Sequence, residues 1–217
     1  MSDFEKKRDK IAKVAQDMNI TNISGVPSWM LSVLNKVMEL KGTDNLADVW
    51  PNLEVFFHGG VAFNPYREQY KNIIRSEKMH YMETYNASEG FFGIQNDLND
   101  PAMLLMIDYD VFYEFCPMDD MGEDGYPKEG AKIVPLWDVE IGKNYAMIIS
   151  TSCGLWRYMI GDTVKFTQKD PYKFVITGRT KHFINAFGEE LIVDNAEKGL
   201  MQACQAKIGR ASCRERV

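Results

Sequence analysis

A chain of 217 residues, 45% hydrophobic and 12% aromatic, can bury a sizeable core as one large domain or one and a half smaller ones. Its net charge of −6, with Lys and Arg dispersed along the sequence, argues against a nucleic-acid partner, whose affinity comes from clustered cations. No apolar run reaches bilayer length, and the charged start, Met1-Ser2-Asp3-Phe4-Glu5-Lys6-Lys7-Arg8, has no apolar stretch behind it and does not read as a signal peptide.

In chain order, residues 3–18 read as a helix, with Phe4, Ile11, Val14 and Met18 at mixed three- and four-residue spacings. Residues 22–26 read as a short extended segment. Pro27 suits the first turn of a second helix, where its missing N–H costs nothing, and Trp29, Met30, Val33, Leu34, Val37 and Met38 mark its stripe up to about Gly42. A strand over 53–57 is turned by His58-Gly59-Gly60, a helix follows over 65–75, and a strand over 79–85 completes an alternating β-α-β pattern. From Gly90 the pattern becomes short strands at 91–95, 102–107, 111–115, 146–150, 162–167 and 174–177, with an acidic loop over 119–130. That spacing predicts an antiparallel sheet or small barrel beside the α/β layer. A last helix is expected near Asp194-Asn195-Ala196-Glu197, with Asp194 as its cap.

The four cysteines (Cys116, Cys153, Cys204, Cys213) form no CxxC pair, and His58, His80 and His182 stand far apart. Reduced thiols in a cytoplasmic protein are the expectation, with neither a zinc site nor a disulfide framework. Residues 208–217 carry three Arg and one Glu with no hydrophobic period, and resemble the translation of a sequencing adapter. They are set apart from the fold as a scar, which takes the net charge from −6 to −8. The natural protein is then expected to continue past residue 206.

Several polar turns follow strands, and in open α/β sheets ligands gather at the carboxyl ends of strands. His58-Gly59-Gly60 lets backbone approach a flat ring, although an ordinary turn reads the same way. In Tyr85-Asn86-Ala87-Ser88-Glu89-Gly90 an aromatic ring, small residues and a carboxylate could serve a purine, a phosphate and a magnesium ion, and a strand end with a core Tyr would look alike. In Leu155-Trp156-Arg157-Tyr158-Met159-Ile160-Gly161-Asp162 the carboxylate after Gly161 could take both hydroxyls of a ribose, or simply end a turn. Gly178-Arg179 could add a cation, or be a surface arginine.

Taken in order, these segments resemble the adenylate-forming superfamily, and more closely the Gretchen Hagen-type acyl acid amido synthetases in their bacterial branch. There a Tyr-x-x-Ser-Glu motif precedes a Tyr-Arg-x-Gly-Asp motif and then a Gly-Arg. The likeness covers residues 10–206 or so. It implies a partial adenylate-forming fold: residues 1–180 as the C-terminal part of the large domain, and 181–207 as a hinge and the start of a small C-terminal domain. It implies that Gly59, Gly60, Tyr85 and Asn86 frame adenine, that Ser88 lies near the α-phosphate, that Glu89 faces Mg2+, and that Asp162, with Arg179 beside it, holds the ribose. ATP and Mg2+ are the implied cofactors, and a small carboxylic acid and an amine or amino acid the implied substrates. Trp29, Met30, Phe63 and Trp156 are candidates for an acyl pocket, with core packing the plainer explanation of each.

The sequence departs from the family in lacking a Ser/Thr- and Gly-rich phosphate loop, and no lysine falls between Lys181 and Lys198. These residues alone are therefore expected not to complete turnover. The alternatives are a non-catalytic nucleotide-binding module, another adenylate-forming ligase of the acyl-CoA synthetase kind, or an α+β interaction domain whose loops match by accident.

Overall fold

The computed structural model describes residues 3–180, 183–186 and 189–192, the last two segments by backbone alone. The helix expected near Asp194 and the tail over 208–217 lie outside the described residues. The chain folds as two compact units, Met1–Met106 and Ile107–Val217.

The first unit is an α/β layer. Helix α1 (Asp3–Ala15) leads to β1 (Asn22–Gly25), α2 (Pro27–Lys41), β2 (Val55–His58), α3 (Arg67–Ile73), β3 (His80–Ala87), β4 (Gly90–Asp97) and β5 (Asp100–Leu105). The strands lie in the order β1-β2-β3-β4-β5. The first three run parallel and the last two turn back antiparallel. Parallel neighbours need long connections, and α2 and α3 supply them. The core gathers Leu34, Val37, Leu46, Phe56 and Tyr70, with the Tyr70 hydroxyl donating to the Pro27 carbonyl at 2.8 Å.

Two helical faces differ from the sequence reading. Helix α2 buries Leu31, Leu34, Val37 and Met38, whereas Trp29 is 66% exposed. Trp29 stands two positions before Leu31, nearly opposite on the helix wheel, so both cannot face the core. In α1 the expected stripe of Phe4, Ile11 and Val14 is exposed, and Ala12 is the buried residue. A methyl side chain there lets α1 lie close to α2, and the Trp50 indole N–H reaches the Ala15 carbonyl at 3.0 Å. Leu34→Ala is expected to cost about 2–5 kcal/mol in urea unfolding, whereas Trp29→Ala should stay within about 0.5 kcal/mol.

The second unit is antiparallel throughout its main sheet. Strands β6 (Val111–Pro117), β7 (Val134–Pro135), β8 (Asn144–Thr151), β9 (Tyr158–Lys169) and β10 (Tyr172–Arg179) lie in the order β10-β9-β8-β6-β7. One face packs Phe115, Tyr145, Phe166 and Phe174, with Phe115 and Phe166 edge to face at 5.0 Å. The other buries Cys116, Ala146 and Ile148 under Met118, Met121 and Ile133, which lie in and beside the acidic segment. That segment folds on itself through Gly122 N–H to the Tyr126 carbonyl at 2.7 Å. Strand β9 is longer than expected: it begins at Tyr158 and passes through the Gly161-Asp162 pair, where its register with β8 shifts. A separate hairpin of β11 (Phe183–Ala186) and β12 (Glu189–Ile192) follows.

Candidate adenosine-binding segments

In the first unit, His58 pairs in register with Glu83, so the parallel strands β2 and β3 present their carboxyl ends at the same edge. Gly59 continues past that edge directly against Thr84. A Cβ on Gly59 would lie well inside contact distance of the Thr84 carbonyl oxygen, so only glycine fits. Strand β3 runs on to Ala87, turns over Ser88-Glu89 and returns as β4, with Ala87 opposite Gly90. Tyr85 pairs with Gly93 and Asn86 with Phe91, which leaves Phe92 as the extra residue of a β-bulge. Such a bulge re-aims side chains at the end of a ladder.

The sequence-derived residues Gly59, Gly60, Tyr85, Asn86, Ser88 and Glu89 thus share one unit, on the neighbouring ends of β2 and β3. Asn86 and Ser88 are exposed and Glu89 is half-buried. Tyr85 is 6% exposed, its ring tilted against Phe92 at 5.1 Å, so it sits in the core rather than standing out as an open stacking platform.

Sequence reasoning did not weigh what lies beneath this edge. His58 is 3% exposed and stacks on Phe63 at 4.1 Å, and neither ring nitrogen has a hydrogen-bond partner among the described residues. Burial, with the Arg67 guanidinium nearby, lowers its pKa from 6.5 to about 4. Burial also pushes Tyr81 up to about 12 and raises Glu83, with Arg67 partly offsetting both. Because the folded protein resists protonating His58, this group costs nothing above pH 6.5 and destabilises the fold progressively as pH falls from 6.5 towards 4. The loss should approach roughly 3 kcal/mol. Glu83 acts in the opposite sense. The check is therefore the difference between wild type and His58→Phe in denaturant melts across that window, with the variant giving the flatter curve.

In the second unit, β9 and β10 bring Asp162 and Arg179 directly opposite each other, and Arg179 Nε meets Asp162 Oδ1 at 3.0 Å. Arg179 Nη2 also donates to the Ile160 carbonyl at 3.3 Å. Gly161 has φ +87°, and a Cβ there would stand 3.4 Å from Arg179 Nη2. A side chain at 161 would strain the backbone and press on the guanidinium. Thr177 is the extra residue of a bulge in β10; its hydroxyl donates to Asn144 Oδ1 at 2.6 Å and lies 2.8 Å from the Thr163 hydroxyl. The Asp162 side chain is 18% and the Arg179 side chain 52% exposed, so the pair adds little to stability and chiefly fixes the direction of a carboxylate.

Of the candidates for an acyl pocket, Phe63 is buried and Met30 packs partly buried against the first unit's core. Trp29 and Trp156 are 66% and 84% exposed, so core packing does not account for either. Among the described residues, no three of His, Cys, Asp and Glu cluster as metal ligands, and no helix is long and apolar enough to cross a membrane.

Two protein-family domains match the chain: the GH3 family N-terminal domain over residues 4–79 and the GH3 family central domain over 104–179. Gly59 and Gly60 fall within the first match and Asp162 and Arg179 within the second, whereas Tyr85–Glu89 falls between them. The indole-3-acetic acid-amido synthetase GH3.4 of Arabidopsis thaliana is 34% identical over 131 residues, covering 56% of this chain and 21% of its own length. GH3.3 of the same plant, likewise an indole-3-acetic acid-amido synthetase, is 31% identical over 140 residues, covering 58% and 22%. The matched part of the chain thus spans about a fifth of these relatives. A solved acyl acid amido synthetase, GH3.15 in complex with 2,4-DB, superposes with a TM-score of 0.67 at 16% identity over 93% of this chain and 43% of that one. A 2-hydroxyisobutyryl-CoA ligase in its postadenylation state with 2-HIB-AMP gives a TM-score of 0.64 at 14% identity over 90% and 40%. The fold is that of part of an adenylate-forming enzyme.

Proposed function

We propose, for a chain that belongs to the GH3 family, the chemistry of an ATP-dependent adenylate-forming ligase that joins a carboxylic acid to an amine such as an amino acid. The supporting observation is that the motif residues of the first unit cluster at neighbouring ends of β2 and β3, while in the second Asp162 of β9 is held by Arg179 at the end of β10 at 3.0 Å. The two plant sequence relatives named above are acid-amido synthetases, which favours an amine over coenzyme A as acceptor.

In this reading the Gly59-Gly60 backbone and the edge of Tyr85 and Asn86 bound the adenine. Asp162 accepts hydrogen bonds from the ribose hydroxyls, and Arg179 keeps its carboxylate aimed. Ser88 stands near the α-phosphate. Glu89, half-buried at the hairpin turn, offers one carboxylate. A single carboxylate suits Mg2+, which commonly keeps several waters and takes its other ligands from substrate phosphates. When bound, the ion neutralises charge on the phosphates. The acid's carboxylate attacks the α-phosphorus, pyrophosphate leaves, and the amine then displaces AMP from the acyl carbon, forming the amide and losing a proton. Phosphoryl chemistry of this kind is governed by positioning and by neutralising crowded charge, and the residues above act in those two ways.

Residues 1–180 correspond in this reading to the C-terminal part of a large adenylate-forming domain, with 181–207 as a hinge and the start of a small C-terminal domain. Lacking a phosphate loop, these residues are expected to hold adenosine without turning over. The test is pyrophosphate exchange with a panel of carboxylic acids, run on this chain and on one extended to carry a phosphate loop. Exchange by the extended chain and none by the shorter one is expected. Robust exchange by the shorter chain would overturn the predicted inactivity, and no exchange by the extended chain with any acid would overturn the ligase reading.

A further inference from the structure

The face of β2 and β3 that packs beneath α3 holds three polar atoms for which the mechanism has no use. Both ring nitrogens of His58 and the Tyr81 hydroxyl are buried with no hydrogen-bond partner among the described residues. One ring lies against both side chains. Phe63 stacks on His58 at 4.1 Å and 14° and on Tyr81 at 5.1 Å and 29°, and is itself 5% exposed. The Arg67 guanidinium sits 5.0 Å from the Phe63 centroid and 5.9 Å from that of Tyr81. Phe63 belongs to the segment over 59–66 that joins β2 to α3, a segment that begins with two glycines, the second at φ +81°.

Burying one phenyl ring favours this arrangement, and leaving three buried polar atoms without partners opposes it. Each partnerless atom costs about as much as burying the ring contributes, so the three together oppose the arrangement at least as strongly and ring burial alone does not hold the segment firmly. Replacing the polar atoms with apolar ones of the same shape removes the opposing effect while keeping the ring stack. That makes the balance open to experiment.

We propose that the segment over 59–66 is a two-state latch. Closed, Phe63 lies across His58 and Tyr81; open, the Phe63 ring lifts about the Gly59-Gly60 hinge, and the three polar atoms gain partners from water or from a polar group of a bound ligand. The latch lies at the edge to which adenine is assigned above, and only its coupling to a nucleotide rests on that reading.

The experiment is backbone amide exchange on this chain, wild type against the double variant His58→Phe with Tyr81→Phe. Amides over 61–64 are expected to exchange at least tenfold more slowly in the double variant, with α2 amides unchanged. Equal or faster exchange over 61–64 would overturn the latch, as for a site whose polar atoms are permanently satisfied by a trapped water. Should the double variant fail to fold, wild-type His58 supplies the second measurement. Diethyl pyrocarbonate should modify it under native conditions at a rate set by opening, and complete resistance until global unfolding would overturn the latch. A thermal melt showing no protection by AMP would remove the nucleotide reading and leave the exchange comparison to decide the latch.

Discussion

Asp162→Ala should weaken AMP binding by a hundredfold or more while leaving the fold almost as stable as before. The carboxylate is assigned two charge-assisted hydrogen bonds to the ribose, each worth about 1.5–3 kcal/mol. At about 1.4 kcal/mol per tenfold, the pair corresponds to a loss of roughly 10² to 10⁴ in affinity. The ion pair with Arg179 is partly open to water, with side chains 18% and 52% exposed, so losing it should change unfolding stability by no more than about 1 kcal/mol. Calorimetric titration and a urea melt on the same sample separate the two effects. Asp162→Asn should recover the shape and part of the hydrogen bonding, and hence a fraction of the affinity. A variant that unfolds readily would instead mark Asp162 as structural.

Gly59→Val should be the most damaging single change at the other cluster. Any Cβ at 59 meets the Thr84 carbonyl oxygen, with the Thr84 hydroxyl next, at 3.2 Å. Backbone cannot yield as the end of a flexible side chain can, so the ends of β2 and β3 must part. Overpacking of this kind costs about 1–3 kcal/mol. The edge assigned to adenine is displaced with it. A lowered urea midpoint together with loss of AMP binding is expected, and Gly59→Ala should show a milder form of both. If Gly59→Val melts like wild type, the close approach to Thr84 is not maintained in solution.

The fold was legible in the sequence where one local rule governs. Pro27 opens α2 as its fixed φ suggests, and the apolar spacing located Leu34, Val37 and Met38 in its buried face. Strands of the second unit fell where short apolar runs met polar turns. Orientation was less legible, because it depends on a partner distant in sequence. Ala12 rather than Ile11 faces α2, and that depends on how closely two helices approach. That Arg179 lies beside Asp162 was implied by the family resemblance, but the hairpin register and the bulge at Thr177 that set the two opposite each other were not. The isolation of His58 was hidden for the same reason. Its neighbours Phe63, Arg67, Tyr81 and Glu83 come from three further elements, and a histidine before two glycines reads as part of a turn until they are assembled.

The proposed function predicts that AMP binding by this chain depends on Gly59 and, separately, on Asp162. Thermal melting with AMP in large excess tests this most directly. A ligand at a hundred times its dissociation constant adds about 2.7 kcal/mol. A rise in melting temperature of the matching size is predicted for the wild-type chain, and none for Gly59→Val or Asp162→Ala. No rise for the wild type at millimolar AMP, or an undiminished rise in both variants, would contradict it.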